Sequence, residues 1–388
     1  MKFSLSCRVC ADELFEHPLL SYRGMPGTAQ GFPDSATVAF DQGANLDVYQ
    51  CVGCGLVQLP AEPVPYHREV IRAAGISRVL AEAKSRQFAD FVVRHHLEGK
   101  KIVEVGCGRG EFLSLLSSLP VEAHGVEFGQ ESVRHCRAAG LRVSHGYPGA
   151  GSPDFKEAPF DAFLLLMFLE HMPDPNASLR FICRQLTPGA IGLIEVPNFD
   201  MMIKKHLFSE FISDHLLYFG RETFETTLRF NGFEIVDFSE LRDDYVLSAT
   251  VRKRSPLDLS EFSRSQRDLT AQLRSFVGSV ASGRIAAWGA GHQALAVLAL
   301  SGIAPSIRYV VDSAPFKQGK LTPATHLPIF SPETLRTDPV EAVIVMAASY
   351  SDEVVGILNR EYKNVTNVAI LREGGLEILQ PRVSPTVA

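Results

Sequence analysis

The chain has 388 residues, 46% of them hydrophobic and 21% charged, with a formal net charge of −6. That length and apolar fraction suit a packed protein of two or three domains, and the negative balance argues against a nucleic-acid partner. No apolar run reaches membrane-spanning length and no export signal opens the chain, so a cytoplasmic location without a membrane partner is expected, and the seven cysteines read as reduced thiols or metal thiolates.

Residues 1–65 are rich in turns, with Arg23-Gly-Met-Pro-Gly27 and Gly31-Phe-Pro-Asp34 interrupting short apolar pieces. They predict no helix of useful length and call for a staple. Two pairs, Cys7-Arg-Val-Cys10 and Cys51-Val-Gly-Cys54, supply one. A two-residue gap lets both sulfurs of a knuckle reach the same ion, and two knuckles fill the four positions of a structural zinc. A nucleic-acid-binding zinc ribbon is the rival reading, but this segment holds three cations against seven acids.

A helix is expected from about His67 to Leu97, carrying Val70, Ile71, Val79, Leu80, Phe88, Phe91 and Val92 at three-to-four spacing. Strands alternating with helices follow: Lys101–Val105, Ala123–Val126, Phe160–Leu166 and Ala190–Val196. This alternation predicts an α/β protein with a largely parallel sheet covered on both faces. A charged joint, Arg252-Lys-Arg-Ser-Pro256, leads to an amphipathic helix with Phe262, Leu269, Leu273, Phe276, Val277 and Val280 on one side. A second strand-turn-helix unit then begins at Arg284-Ile-Ala-Ala-Trp-Gly-Ala-Gly291. It continues through Arg308-Tyr-Val-Val-Asp312 and Ala342-Val-Ile-Val-Met346. The expected division is 1–65, 66–254 and 255–388.

The turn Glu104-Val-Gly106-Cys-Gly108-Arg-Gly110 has glycines where a backbone must bend sharply and approach a ligand. Glu104 lies at the end of the strand before them, and Glu127 ends the next strand, where an acid can accept ribose hydroxyls. Glycines alone also suit an NAD-type dehydrogenase. Downstream lies Met167-Phe168-Leu-Glu-His171-Met-Pro-Asp174, then Glu195-Val-Pro-Asn198 and Phe211-Ile-Ser-Asp214-His215-Leu-Leu-Tyr218. Imidazole titrates near neutral pH, so a positioned His can remove a proton, and a neighbouring carboxylate can orient it.

Glu-x-Gly-x-Gly-x-Gly followed by a second acid resembles the signature of class I S-adenosylmethionine-dependent methyltransferases. With the cysteine knuckles, Glu170-His171, Asp214-His215 and the carboxyl-terminal Rossmann-like segment, nearly the whole chain resembles the zinc-containing sugar C-methyltransferases, which act on nucleoside-diphosphate 4-keto-deoxysugars. The resemblance implies a zinc-bound cap, a class I methyltransferase domain and a smaller Rossmann-like domain for the nucleotide sugar. It implies S-adenosylmethionine held by Glu104, Gly106, Gly108, Gly110, Glu127 and Phe168, and structural zinc on Cys7, Cys10, Cys51 and Cys54. It implies His215 as base, oriented by Asp214, with His171 and Tyr66 stabilising or relaying charge. Asn198, Tyr218, Gly289, Gly291, His292 and Asp312 are expected to meet the substrate, in a monomer that adds a methyl at C-3. O- or N-methylation of a related sugar is the alternative chemistry, and an inactive zinc-ribbon binding protein is the alternative of another class. Two departures stand out: the family's Tyr-x-Glu-His is Ile212-Ser-Asp214-His215 here, and its His-Gly-Gly-Ser is Arg242-Asp-Asp-Tyr245.

Overall fold

A computed structural model describes residues 6–69, 76–281 and 284–379. The chain divides into two compact units, Met1–Pro256 and Leu257–Ala388.

In the first unit the strands run β1 Leu20–Met25, β2 Ala44–Gln50, β3 Val57–Gln58, β4 Lys101–Val105, β5 Glu122–Glu127, β6 Val143–His145, β7 Phe160–Leu166, β8 Leu186–Pro197, β9 Leu217–Tyr218, β10 Phe233–Leu241 and β11 Val246–Lys253. Seven of them form one sheet, ordered β10-β11-β8-β7-β4-β5-β6. The strands from β8 to β6 are parallel, while β11 lies antiparallel between β8 and β10. This is the class I methyltransferase arrangement. Strands β4 and β7 are almost wholly buried, as expected for a sheet covered on both faces. The chain builds outward from β4 through β5 to β6, then returns to place β7 on the other side of β4. The order therefore reverses between β4 and β7, and ligands of open α/β sheets collect beyond the strand ends at such a point.

Helix α1 spans Arg78–Arg94, shorter than the stretch from His67 that the spacing predicts. Ser77 caps it by accepting from the Leu80 N–H, while Tyr66, His67 and Glu69 lie in turns closed by His67 N–H to Val64 O and Glu69 N–H to Tyr66 O. Val70 and Ile71 lie outside the described residues. The inward face of α1 carries Lys84, Phe88, Phe91 and Val92, whereas Val79 is 74% exposed.

The cysteine-rich segment builds a second, smaller sheet, β1-β2-β3-β9. Its last strand comes from far along the chain: β9 pairs antiparallel with β3, matching Val57 to Tyr218 and Gln58 to Leu217. The cap is thus stitched to the segment carrying Asp214 and His215.

The second unit has its own sheet of six strands: β12 Ile285–Trp288, β13 Tyr309–Val311, β14 Ile329–Phe330, β15 Ala342–Val345, β16 Asn367–Arg372 and β17 Gly375–Ile378. Their order is β14-β13-β12-β15-β16-β17, parallel except for the last pair. The helix Ser260–Gly278 buries Leu273, Phe276 and Val277, but Phe262 is 74% exposed, so its first turns do not share the inward stripe expected of them.

Candidate active site

At the cap, the Sγ atoms of Cys7 and Cys54 lie 3.5 Å apart and those of Cys10 and Cys51 3.4 Å apart. All four sulfurs lie within 4.8 Å of one another. A tetrahedron with zinc–sulfur bonds of about 2.3 Å has edges of about 3.8 Å, so the donor set fits zinc in number, chemistry and spacing. The Val9 N–H donates to Cys7 Sγ and the Cys54 N–H to Cys51 Sγ, each at 3.4 Å, which favours thiolates at the knuckles. Hydrogen bonding with Cys54 pulls the Cys7 thiol below its ordinary value.

The knuckle reaches the larger sheet through Arg8, whose guanidinium donates to Pro173 O at 2.9 Å and Ala61 O at 2.6 Å. Asn176 donates to Val9 O at 2.6 Å. The cap and the loop after β7 are therefore one hydrogen-bonded structure.

Beyond β4, Gly106, Gly108 and Gly110 all have left-handed backbones, with φ of 72°, 53° and 85°. A Cβ on Gly106 would lie 2.4 Å from Cδ1 of Phe168. At Gly108 it would meet only Glu111 Oε2, at 4.0 Å, so the turn is open on that side and a ligand can approach the backbone. Gly106→Ala should therefore destabilise the fold by about 1–3 kcal/mol and weaken S-adenosylhomocysteine binding at least tenfold, read by calorimetry; Gly108→Ala should lose binding with the smaller stability cost. Glu104 is buried. Glu127, also buried, accepts from Gly108 N–H at 3.0 Å and Gly129 N–H at 2.7 Å, and burial pushes its carboxyl up to about 7. Its first task is to brace the glycine turn. The open side of the turn at Gly108, beside a buried acid at the end of β5, fits the methionine and ribose parts of S-adenosylmethionine. Cys107 is buried in the turn, and hydrogen bonding with Cys136 raises its thiol, leaving it poorly suited to nucleophilic work.

After β7, Met167 adopts φ 55° and Leu169–His171 forms a single 3-10 turn. This presents the buried His171, whose Nδ1 lies 2.8 Å from Asp214 O. A carbonyl only accepts, so Nδ1 carries the proton and Nε2 of the neutral ring presents a lone pair. Burial lowers His171 to about 4, so the neutral form dominates at physiological pH. The half-buried His215 ring packs edge-on against it, centroid to centroid 4.7 Å. Burial first, and the His171 charge second, hold His215 well below the ordinary histidine value.

Asp214 departs from the expected role. Its carboxylate does not orient His215: Oδ1 accepts from the Tyr66 hydroxyl at 2.6 Å and Oδ2 from Ala29 N–H at 2.8 Å. The Tyr66 oxygen in turn accepts from the Ala29 and Gln30 N–H groups, each at 3.0 Å. Asp214 and Tyr66 thus latch the cap loop down, and it is the Asp214 carbonyl that serves the histidine pair.

Asn198 and Tyr218, expected at the substrate, are both buried. Asn198 caps the helix Phe199–Lys204 through Met201 N–H and donates to Asp244 O at 2.8 Å. The Tyr218 hydroxyl accepts from Ile212 N–H at 3.1 Å and donates to Ile212 O at 3.2 Å. Both commit their polar atoms within the protein. The Arg242-Asp-Asp-Tyr245 hairpin holds three successive left-handed residues, Arg242, Asp243 and Asp244, the last two at the positions where the family pattern has glycines.

In the second unit, Gly289 has φ 118°, and a Cβ there would lie 2.5 Å from Met346 O. Gly291 and His292 are exposed at the start of the helix His292–Ser301. Asp312 repeats the bracing seen at Glu127, accepting from Ala290 N–H at 2.7 Å and Ala314 N–H at 2.9 Å and pairing with Lys317 at 2.9 Å. Both acids found by the twenty-residue spacing therefore tie down their own glycine turns.

Sequence reasoning passed over one buried cluster. Lys84 of α1 pairs with Glu195 of β8, both shielded from water. Gln87 adds a bond to the other Glu195 oxygen at 2.7 Å. The available signal was a lysine four residues before Phe88 on an apolar face, facing a carboxylate inside a buried strand.

Residues 73–237 match the methyltransferase-domain family, and residues 252–369 match the C-methyltransferase C-terminal domain family. The chain is an S-adenosylmethionine-dependent methyltransferase. It is similar to the C-methyltransferase NovU of Streptomyces niveus, 23% identical over 90% of this chain and 91% of the relative. The ubiquinone biosynthesis O-methyltransferase of Methylococcus capsulatus is 29% identical over 33% of this chain and 55% of the relative, so the chain spans about half the length of that protein. A crystal structure of an S-adenosylmethionine-dependent methyltransferase from Clostridium acetobutylicum covers 49% of this chain and 96% of its own, with TM-score 0.40 and 13% identity. Among the described residues of this methyltransferase, no helix is long and apolar enough to cross a membrane.

Proposed function

We propose that this methyltransferase adds a branch methyl to carbon, at C-3 of a nucleoside-diphosphate 4-keto-6-deoxysugar, as a cytoplasmic monomer. The observation that carries the reading is the His171–His215 pair, 4.7 Å between centroids, with His171 on a loop whose Phe168 packs against the cofactor turn. The match to the C-methyltransferase C-terminal family supports carbon as the acceptor.

Bound S-adenosylmethionine supplies an electrophilic methyl on a sulfonium. His215 takes the proton from the carbon beside the ketone, and the new imidazolium stays next to the enolate charge. The carbon then attacks the methyl in line as the carbon–sulfur bond breaks. His171 presents a lone pair, so it serves as the relay that accepts the proton onward from His215 and not as a donor to the enolate. Tyr66 and Asp214 act by holding the cap loop and the His215 segment. The turn Gly289-Ala-Gly291-His292 of the second unit, with Asp312 after it, suits a nucleotide by itself.

Zinc on Cys7, Cys10, Cys51 and Cys54 keeps the cap folded, and β9 on the cap edge holds His215 in place. Cys51→Ser should therefore abolish zinc retention, measured by atomic absorption, and reduce methyl transfer at least tenfold although Cys51 lies outside the histidine pair. Full activity in a zinc-free variant would remove the cap from this account. The function is tested by supplying labelled S-adenosylmethionine with a panel of 4-keto sugar nucleotides; transfer to none of them would discard it.

A further inference from the structure

Three side chains beyond the carboxyl end of β7 bring metal-ligating atoms to one point. A Glu170 oxygen, a His171 ring nitrogen and a His215 ring nitrogen all lie within 4.8 Å of one another. Glu170 is 1% exposed, and its Oε2 has no hydrogen-bond partner. Its ion-pairing neighbour among the described residues is His171, with Nε2 3.8 Å from Oε1. Burial drives a sealed carboxyl toward its protonated form, and a bound cation can take the proton's place.

His171 offers that carboxyl no proton. The Nδ1 proton of His171 is donated to Asp214 O at 2.8 Å, which leaves Nε2 as a lone pair facing Glu170. Among the described residues no protein hydrogen bond holds the His215 ring. A His171 lone pair, a His215 ring nitrogen and a carboxyl oxygen without a hydrogen-bond partner thus converge on one point, a donor set that a cation completes by displacing the carboxyl proton. Two further details fit a metal. A backbone carbonyl on the far nitrogen is the usual means of orienting a ligating imidazole. Two imidazoles and one carboxylate suit a borderline divalent ion such as zinc, cobalt or iron, and three protein ligands leave coordination positions open.

We propose that Glu170, His171 and His215 form a second metal site, for a divalent transition ion, distinct in chemistry from the four thiolates of the cap. For the C-methylation proposed above, on which this one consequence rests, a filled site is a silenced site. The His215 lone pair cannot both bind an ion and accept a carbon-bound proton.

Cobalt(II) titrated into the full-length protein, with its cap metal retained, tests the site directly. One further equivalent should bind and give visible d–d absorption without the thiolate-to-cobalt charge-transfer band of a cysteine site. Glu170→Gln and His215→Asn should each lose that absorption. Its absence from the wild type, or its survival in both variants, would overturn the proposal. Should Glu170→Gln fail to fold, judged by circular dichroism, the half-buried His215→Asn carries the test. Methyl transfer is read separately on the same samples. Loss of transfer as cobalt fills the site supports the silenced state, whereas unchanged transfer in cobalt-loaded protein leaves the metal site standing and removes His215 as the base.

Discussion

His215→Asn should lower methyl transfer by about 10²–10⁴-fold, the range lost with a positioned general base. It should also abolish solvent exchange of the proton beside the ketone when the 4-keto sugar nucleotide is incubated with enzyme and S-adenosylhomocysteine in deuterated water. Asparagine keeps the approximate size and polarity of the side chain, so the ring pocket against His171 need not collapse. The variant should still bind S-adenosylhomocysteine with wild-type affinity, because Gly106, Gly108 and Glu127 lie on other elements. This combination separates lost chemistry from lost structure. A variant that exchanges the proton at the wild-type rate would assign the base elsewhere, and the lone pair of His171 Nε2 would be the next candidate.

Lys84→Met should cost about 3–5 kcal/mol of stability, the usual penalty for removing one partner of a buried ion pair. Lys84 is 5% and Glu195 1% exposed, so neither charge can turn to water when the other is lost. The Glu195 carboxylate would keep Gln87 and Ser248 as partners, at 2.7 Å and 3.4 Å, but neither carries charge. Because Lys84 sits on α1 and Glu195 on β8, the loss should appear as an earlier far-ultraviolet transition on urea unfolding. Lys84→Met combined with Glu195→Leu should recover part of the stability, since replacing both members of a buried pair with apolar groups is often close to neutral. If Lys84→Met alone shifts stability by less than 1 kcal/mol, the pair is not the anchor described here.

Much of the fold was legible because parallel strands buried on both faces must be continuous apolar runs. Lys101–Val105 and Phe160–Leu166 begin and end in the structure where their sequence pattern does. The knuckle cysteines were legible for a chemical reason, since their spacing is set by the reach of two sulfurs to one ion. The start of α1 was not legible from periodicity: Ser77 decides it by capping, while the apolar spacing continues upstream without marking a boundary. The exposed Phe262 shows the converse, an apolar residue in correct helical register that meets no core.

The site was harder to read, because sequence gives residue types at strand ends but not where their atoms point. His171 and His215 are 44 positions apart in number and meet because Leu216 N–H donates to Glu170 O and His171 Nδ1 to Asp214 O, contacts with no local signature. Asp214 sits next to His215 in the chain, and adjacency suggested that its carboxylate would orient the ring. The backbone turns that carboxylate toward Tyr66 and Ala29 instead, while its carbonyl serves His171. Asn198 and Tyr218 carry side chains suited to a sugar, but folding buries both and bonds them to the scaffold. Glu127 and Asp312 share a logic visible only in three dimensions: each acid holds the amides of its own glycine turn.

The most direct test is where the methyl goes. The full-length enzyme is incubated with S-adenosylmethionine labelled with carbon-13 in its methyl and with a nucleoside-diphosphate 4-keto-6-deoxysugar, and the product is read by nuclear magnetic resonance. The account predicts a labelled methyl bonded to the ring carbon next to the ketone, with the hydrogen of that carbon gone. A labelled methyl on oxygen or nitrogen would contradict it.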